Sequence, residues 1–150
     1  MNAEPDPRSY PDRPILAVSA AIIRDGRVLL ARRNRAPAFG LWTLPGGVVE
    51  SGETLTEALI REIAEETGMA IEPVGLAGHR EVLVRDASGK VERHFVILCF
   101  ASRWIRGEPV LNEELAEANW LRPAEVAPLN TTEGLRDIIA AAFERMASAA

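Results

Sequence analysis

Residues 47–69 read GVVESGETLTEALIREIAEETGM. Thr54 with Glu57 three residues later is the signature of a capping box at a helix start, and Gly68 suits the left-handed residue that ends a helix. The stretch between them predicts a helix over 55–67 with Leu55, Leu59, Ile60 and Ile63 as its inward stripe. Within it, REIAEE sets Glu62, Glu65 and Glu66 inside an arc of about 100° that overlaps one margin of the stripe. Like charges three and four apart cost a helix roughly 0.2–0.5 kcal/mol per pair. The cluster is therefore destabilising unless something cationic sits among the carboxylates. The plain alternative is a solvated, salt-bridged helix in which Arg61 pairs with Glu57.

On the N-terminal side, ILAVSAAII (15–23) and VLLAR (28–32) flank Arg24-Asp25-Gly26-Arg27 and predict a β-hairpin. NRAPAFGLWTLPGG (34–47) predicts a loop with a short extended piece around Trp42. On the C-terminal side, GHREVLVRD (78–86) and VERHFVILCFASR (91–103) flank Ala87-Ser88-Gly89-Lys90 and predict a second hairpin. NWL (119–121) is a short strand candidate. Residues 132–146 predict an amphipathic helix with Leu135, Ile138, Ile139 and Phe143 inward. Strands and helices mix without a strict alternation, so the expected class is α+β, an αβα sandwich with a mixed β-sheet between helices. Residues 1–14, proline-rich and charged, are expected as a flexible N-terminal tail ahead of a single domain over 15–148.

A chain of 150 residues, 47% hydrophobic and 26% charged, can bury about two-thirds of its unfolded surface as one domain. Its net charge of −5 argues against a nucleic-acid polymer as partner, which calls for a basic footprint. A small anionic ligand stays compatible if local arginines or a metal offset that charge. The longest apolar runs, such as FVILCFA at 95–101, fall far short of the roughly 20 residues of a membrane span. The polar start MNAEPDPRSYPDRP has no signal-peptide core. A lone cysteine, Cys99, fits a reducing cytoplasmic setting and reads as a buried, inert residue.

The pattern Gly47, Glu53, Arg61, Glu62, Ile63, Glu65, Glu66, Gly68 and Met69, at these spacings, resembles the Nudix box with no fixed position missed. From average composition such a match arises by chance roughly once in 10⁷ chains of this length. The flanking hairpins and the C-terminal helix resemble the Nudix αβα sandwich over most of the chain. Hard cations such as Mg2+ and Mn2+ prefer carboxylate oxygens, and three carboxylates at the edge of a groove supply such donors. The resemblance implies metal ligation by Glu62, Glu65, Glu66 and the carbonyl of Gly46, with Glu65 also matching the base of some members. Arg61 matches the arginine that orients a box glutamate, here Glu53. With this go the family's expectations: a Mg2+- or Mn2+-dependent pyrophosphohydrolase that cleaves a small-molecule nucleoside diphosphate derivative by water attack on phosphorus. A non-catalytic nucleotide-sensing module is the alternative, and a homodimer is compatible because many relatives dimerise.

Outside the box, Arg32, Arg33, Arg35 and Trp42 are the candidate substrate contacts. The guanidiniums can hold a phosphate bidentately, and Trp42 either stacks on a base or caps the core. His79 and Glu81 are placed where they can face a cleft, His94 reads as structural, and Glu113, Glu114 or Glu117 can supply the additional loop glutamate of many relatives. The approach RNRAPAFGLWTLPGG is similar to ADP-ribose pyrophosphatase-like bacterial members. Val82, Leu83 and Val84 stand where many ADP-ribose hydrolases carry a proline. The substrate expectation therefore divides between ADP-ribose or another nucleotide sugar and a (d)NTP, including oxidised forms.

Overall fold

In the computed structural model, which describes residues 6–35 and 38–149, β1 (Ile15–Arg24) turns into β2 (Arg27–Arg33) through Asp25 and Gly26. Both turn residues have positive φ, 51° and 75°, the conformation that matches a two-residue hairpin turn to the twist of its strands. Short β3 (Trp42–Thr43) and β4 (Gly46–Val48) follow, then α1 (Leu55–Thr67), and the long hairpin of β5 (Ala70–Arg85) and β6 (Val91–Arg106). β7 (Leu115–Leu121), a single turn α2 (Pro123–Val126) and α3 (Leu135–Ser148) complete the chain. Residues 36–37 of the expected loop and 1–5 of the expected tail lie outside the described residues.

The sheet runs β3-β2-β1-β6-β5, with β4 beside β1 and β7 beside β2. β1 and β6 pair in parallel, from Ile15↔Phe95 to Ile23↔Arg103, while the other strand pairs of the described residues are antiparallel, so the sheet is mixed. β1 is apolar on both faces because both are covered. Val18, Ala20 and Ile22 pack with Leu29, Phe100 and the α1 residues Ala58, Leu59 and Ile63. Ala21 and Ile23 pack with Cys99, Ala101 and the α3 residues Leu135, Ile138 and Ile139. The arrangement is the expected αβα sandwich. No helix among the described residues is long and apolar enough to cross a membrane.

Several elements differ in extent from the sequence reading. β5 starts at Ala70 and runs through Pro73, where a register shift between Pro73 and Gly75 accommodates a residue with no N–H to donate. β4 was not expected; Gly46 fits against β1 because a Cβ there would lie 2.0 Å from the Val18 carbonyl oxygen. Ile60 is 44% exposed rather than inward, its place in the α1 stripe taken by Ala58. α3 begins at Leu135, not at residue 132, since Thr132 is buried against Thr43 with their hydroxyls 3.1 Å apart and Gly134 turns left-handed at φ 77°.

Where a flexible tail was expected, residues 6–10 lie along the β5–β6 hairpin. Tyr10 donates its N–H to the Glu92 carbonyl at 2.8 Å and its hydroxyl to Asp86 at 2.9 Å. Asp6 pairs with Arg93 at 2.6 Å.

α3 covers only part of its face of the sheet. Beyond Leu135 the strands β1, β6 and β5 leave an open trough, a cleft of about 420 Å³ whose walls include Ser19, Ile97, Cys99, Arg80 and Leu135.

Candidate active site

α1 is fixed at both ends before any functional side chain is placed. The Glu57 N–H donates to the Thr54 hydroxyl at 3.2 Å, the hydroxyl donates to the Glu57 carboxylate at 2.9 Å, and Gly68 closes the helix at φ 78°. Leu59 and Ile63 anchor the helix to the sheet, so the margin flanking that stripe, with Glu62 and Glu66, meets the Gly46–Val48 strand, and Arg61 and Glu65 stand beside it.

The cation among the carboxylates is Arg61. Its Nε and Nη2 hold the two Glu53 oxygens at 2.6 and 2.7 Å. Nη1 donates to Glu62 at 3.0 Å and to Glu65 at 3.1 Å, and Nη2 also reaches the Val48 carbonyl at 3.2 Å. The alternative pairing of Arg61 with Glu57 is not formed; Glu57 belongs to the cap. The bidentate guanidinium, with the Glu50 N–H at 2.9 Å, holds the Glu53 carboxyl down at about 2. Bidentate geometry of this kind positions as well as stabilises.

Arg61 does not bond Glu66, whose charge is opposed by Arg33 from a distance. Burial pushes the Glu66 pKa up to about 7, against one hydrogen bond from the Gly46 N–H at 3.1 Å. Burial also raises Glu62, although Arg61 opposes the shift. The Glu62 carboxylate lies so close to Gly47 that a Cβ there would be 2.2 Å from it. Gly46 and Gly47 thus let backbone and carboxylates share one narrow space, as only glycine can.

A hard cation fits this donor chemistry. Glu66 is a half-buried oxygen donor desolvated by the fold and opposed only at a distance by the charge of Arg33, and Glu62 lines the same groove. Among the described residues no group of three such side chains already converges as a cage. Mg2+ ordinarily takes one or two carboxylates and completes its shell with water and substrate phosphate, so Glu62, Glu66 and, from the exposed side, Glu65 are the residues that would hold it.

The groove over these acids, about 540 Å³, is also walled by Glu50, Asn112 and Glu113. It shares Arg8, Arg35, Gly46, Gly47, Glu66 and Glu114 with the cleft over β1, β6 and β5. The two form one continuous depression, acidic at one end and rich in arginine at the other.

Arg33 and Arg35 reach this depression, with Arg35 paired to Glu114 at 3.0 Å. Arg32 and Trp42 do not line it among the described residues. Arg32 pairs with Glu117 at 3.0 Å across β2 and β7, and Trp42 packs against the core under α3. Their placement has a physical reason: Arg32 lies opposite Glu117 in the β2–β7 register, and Trp42 is drawn into apolar packing. Glu113 and Glu114 stand at the groove while Glu117 does not. His79 and Glu81 are exposed on the other side of β5. Sequence reasoning missed Arg80 and Arg93, which line the cleft; strand alternation carried the signal, since Arg80 has the opposite parity to His79 and Glu81.

The family model for the NUDIX domain matches residues 13–142. The chain is 37% identical over 107 residues to an ADP-ribose pyrophosphatase of Methanocaldococcus jannaschii, a match covering 71% of this chain and 61% of that protein. It is 32% identical over 126 residues to a MutT-like protein of Streptomyces ambofaciens, covering 83% of this chain and 75% of the relative. Of solved structures, the MutT NUDIX hydrolase of Burkholderia pseudomallei is similar with a TM-score of 0.74 and 33% identity, over 86% of this chain and 98% of the other.

Proposed function

The chain belongs to the Nudix family, and from that premise we propose that it is a divalent-metal-dependent hydrolase of a nucleoside diphosphate linked to a further moiety. The observation that carries the reading is Glu66, a half-buried carboxylate that Arg61 does not hold, beside Glu62 and against the Gly46–Gly47 backbone at the mouth of the cleft. A bound Mg2+ or Mn2+ would neutralise phosphate charge and acidify a coordinated water.

The chain's own residues supply the rest. Arg61 fixes Glu53 and draws Glu62 and Glu65 to one side of α1. Glu65 is the most exposed of the three acids, with 63% of its side chain open to solvent, and is placed to take the proton as water oxygen bonds to phosphorus and the anhydride P–O bond breaks. The leaving phosphate keeps the bridging oxygen, so the products are two phosphate monoesters, or a monoester and pyrophosphate. Arg33 and Arg35 stand where the departing charge can be held.

ADP-ribose heads the candidate substrates because the archaeal relative is named for it; other nucleotide sugars and (d)NTPs follow. The test is phosphate release from such a panel with Mg2+, with Mn2+ and with EDTA, for wild type and Glu66→Gln. Turnover that EDTA abolishes and the variant lowers by about a hundredfold or more is the expected result. Turnover of the variant within about threefold of wild type overturns the metal role given to Glu66.

A further inference from the structure

Among the described residues, five arginines gather in one cleft. Arg8, Arg33, Arg35, Arg80 and Arg93 line it, in a chain of net charge −5. Asp6 answers Arg93 at 2.6 Å and Glu114 answers Arg35 at 3.0 Å. Among the described residues nothing pairs with Arg80, and its Nε is buried without an acceptor. Burial draws its pKa below the ordinary guanidinium value. A half-buried guanidinium left unpaired destabilises the native state, so the fold alone gives no reason to keep one there.

Register locates Arg80 relative to the acids. Val48 pairs with Ala17 on β1, Ala17 with Ile97 on β6, and Ile97 with Arg80 on β5. These form one row across the sheet, three interstrand steps of about 4.8 Å, or about 14 Å of backbone separation. The Gly46–Gly47 end of that row is where Glu62 and Glu66 stand. A diphosphate held there occupies one end of the cleft, and what extends over Ile97 to Arg80 belongs to the rest of the ligand. Val82 and Phe95 supply apolar surface beside it.

We propose that Arg80 is a specificity-determining anchor for a second anionic group, a phosphate or a carboxylate, carried by the substrate beyond its diphosphate. The assignment rests on the diphosphate-hydrolase reading above and narrows it to nucleoside diphosphate derivatives bearing a further negative charge. A guanidinium fork suits either anion bidentately.

The test compares ligands that share a diphosphate and differ in one distal charge. UDP-glucuronate against UDP-glucose is the carboxylate arm; ADP-ribose 2′-phosphate against ADP-ribose is the phosphate arm. Dissociation constants are measured in EDTA, and KM and kcat with Mg2+ and Mn2+, for wild type, Arg80→Gln and Arg80→Lys. Wild type is expected to favour the charged member of at least one pair by about tenfold, expressed in Kd and KM rather than kcat. Arg80→Gln should bring that ratio toward one, and Arg80→Lys should restore part of it. Arg80→Gln should also melt no lower than wild type, because it removes an unpaired buried charge. A ratio near one for wild type in both arms overturns the proposal, as does equal weakening of both members in Arg80→Gln, or a variant that loses several degrees of melting temperature. If no compound is hydrolysed yet the charge preference persists in Kd and needs Arg80, the hydrolase reading fails while this one stands.

Discussion

At the scale of single residues, the site depends on two glycines as much as on its acids. Gly47 has a negative φ, so its identity is not a matter of backbone conformation; it is set by the Glu62 carboxylate, which would meet a Cβ at 2.2 Å. Gly47→Ala must push that carboxylate out of the groove, and the space it enters is already occupied by Arg61. We expect a loss of turnover of about a hundredfold or more, with a change in melting temperature of only a few degrees, because moving a half-buried carboxylate toward solvent opens no cavity in the apolar core. Calorimetry beside the activity assay separates this from a folding defect. The residues of the box were legible because their chemistry and spacing coincide: Arg61 had Glu53, Glu62 and Glu65 within its reach whichever partner it chose. Arg80 was legible only as far as its parity on the strand: alternation sets it on the cleft face, but that nothing among the described residues bonds its Nε has no signature in a sequence.

At the scale of elements, α1 was readable from its ends inward. Thr54, Glu57 and Gly68 are local signals that act within one turn of chain, and the helix spans Leu55–Thr67 as they dictate. Replacing Thr54 with Ala removes an acceptor for the Glu57 N–H and should destabilise the protein by about 1 kcal/mol in urea unfolding. Leu59→Ala, at a fully buried position under the same helix, should cost about 2–5 kcal/mol. Both changes loosen the acids' platform, yet only the second should broaden the unfolding transition's dependence on core packing. β4 and the early start of β5 were hidden because both rest on long-range pairing: Gly46–Val48 becomes a strand only when Ala17–Ser19 lies beside it. Ile60 was misplaced because the inward stripe of α1 is narrower than its apolar residues, and Ala58 fills the tighter space against the sheet.

At the scale of the whole molecule, the acidic groove is set against the stability of the fold, and pH exposes the conflict. Glu66 moves from an ordinary 4.5 to about 7 in the native state. Below 4.5 the carboxyl is protonated in both states. Between that value and 7 the unfolded chain gives up its proton first, so the native state of metal-free protein loses stability as pH rises, by on the order of 3 kcal/mol once pH exceeds 7. Glu53 has the opposite sign: Arg61 holds it at about 2, so its contribution is present above 4.5 and fades as pH falls toward 2. In EDTA, therefore, melting temperature should fall between pH 5 and 8, by about 2–4 °C for each kcal/mol in a domain of this size. Mg2+ should reverse that fall at pH 8 and do little at pH 5, where the proton already occupies Glu66. Glu66→Gln carries no charge to desolvate, so its metal-free form should melt higher than wild type at pH 8 and gain less from Mg2+. Those two shifts, read by differential scanning calorimetry with and without EDTA, have to appear together. A variant that melts higher but still gains fully from Mg2+ would place the cation elsewhere in the groove, whereas one that melts no higher would mean that Glu66 is not the strained charge at the centre of this site.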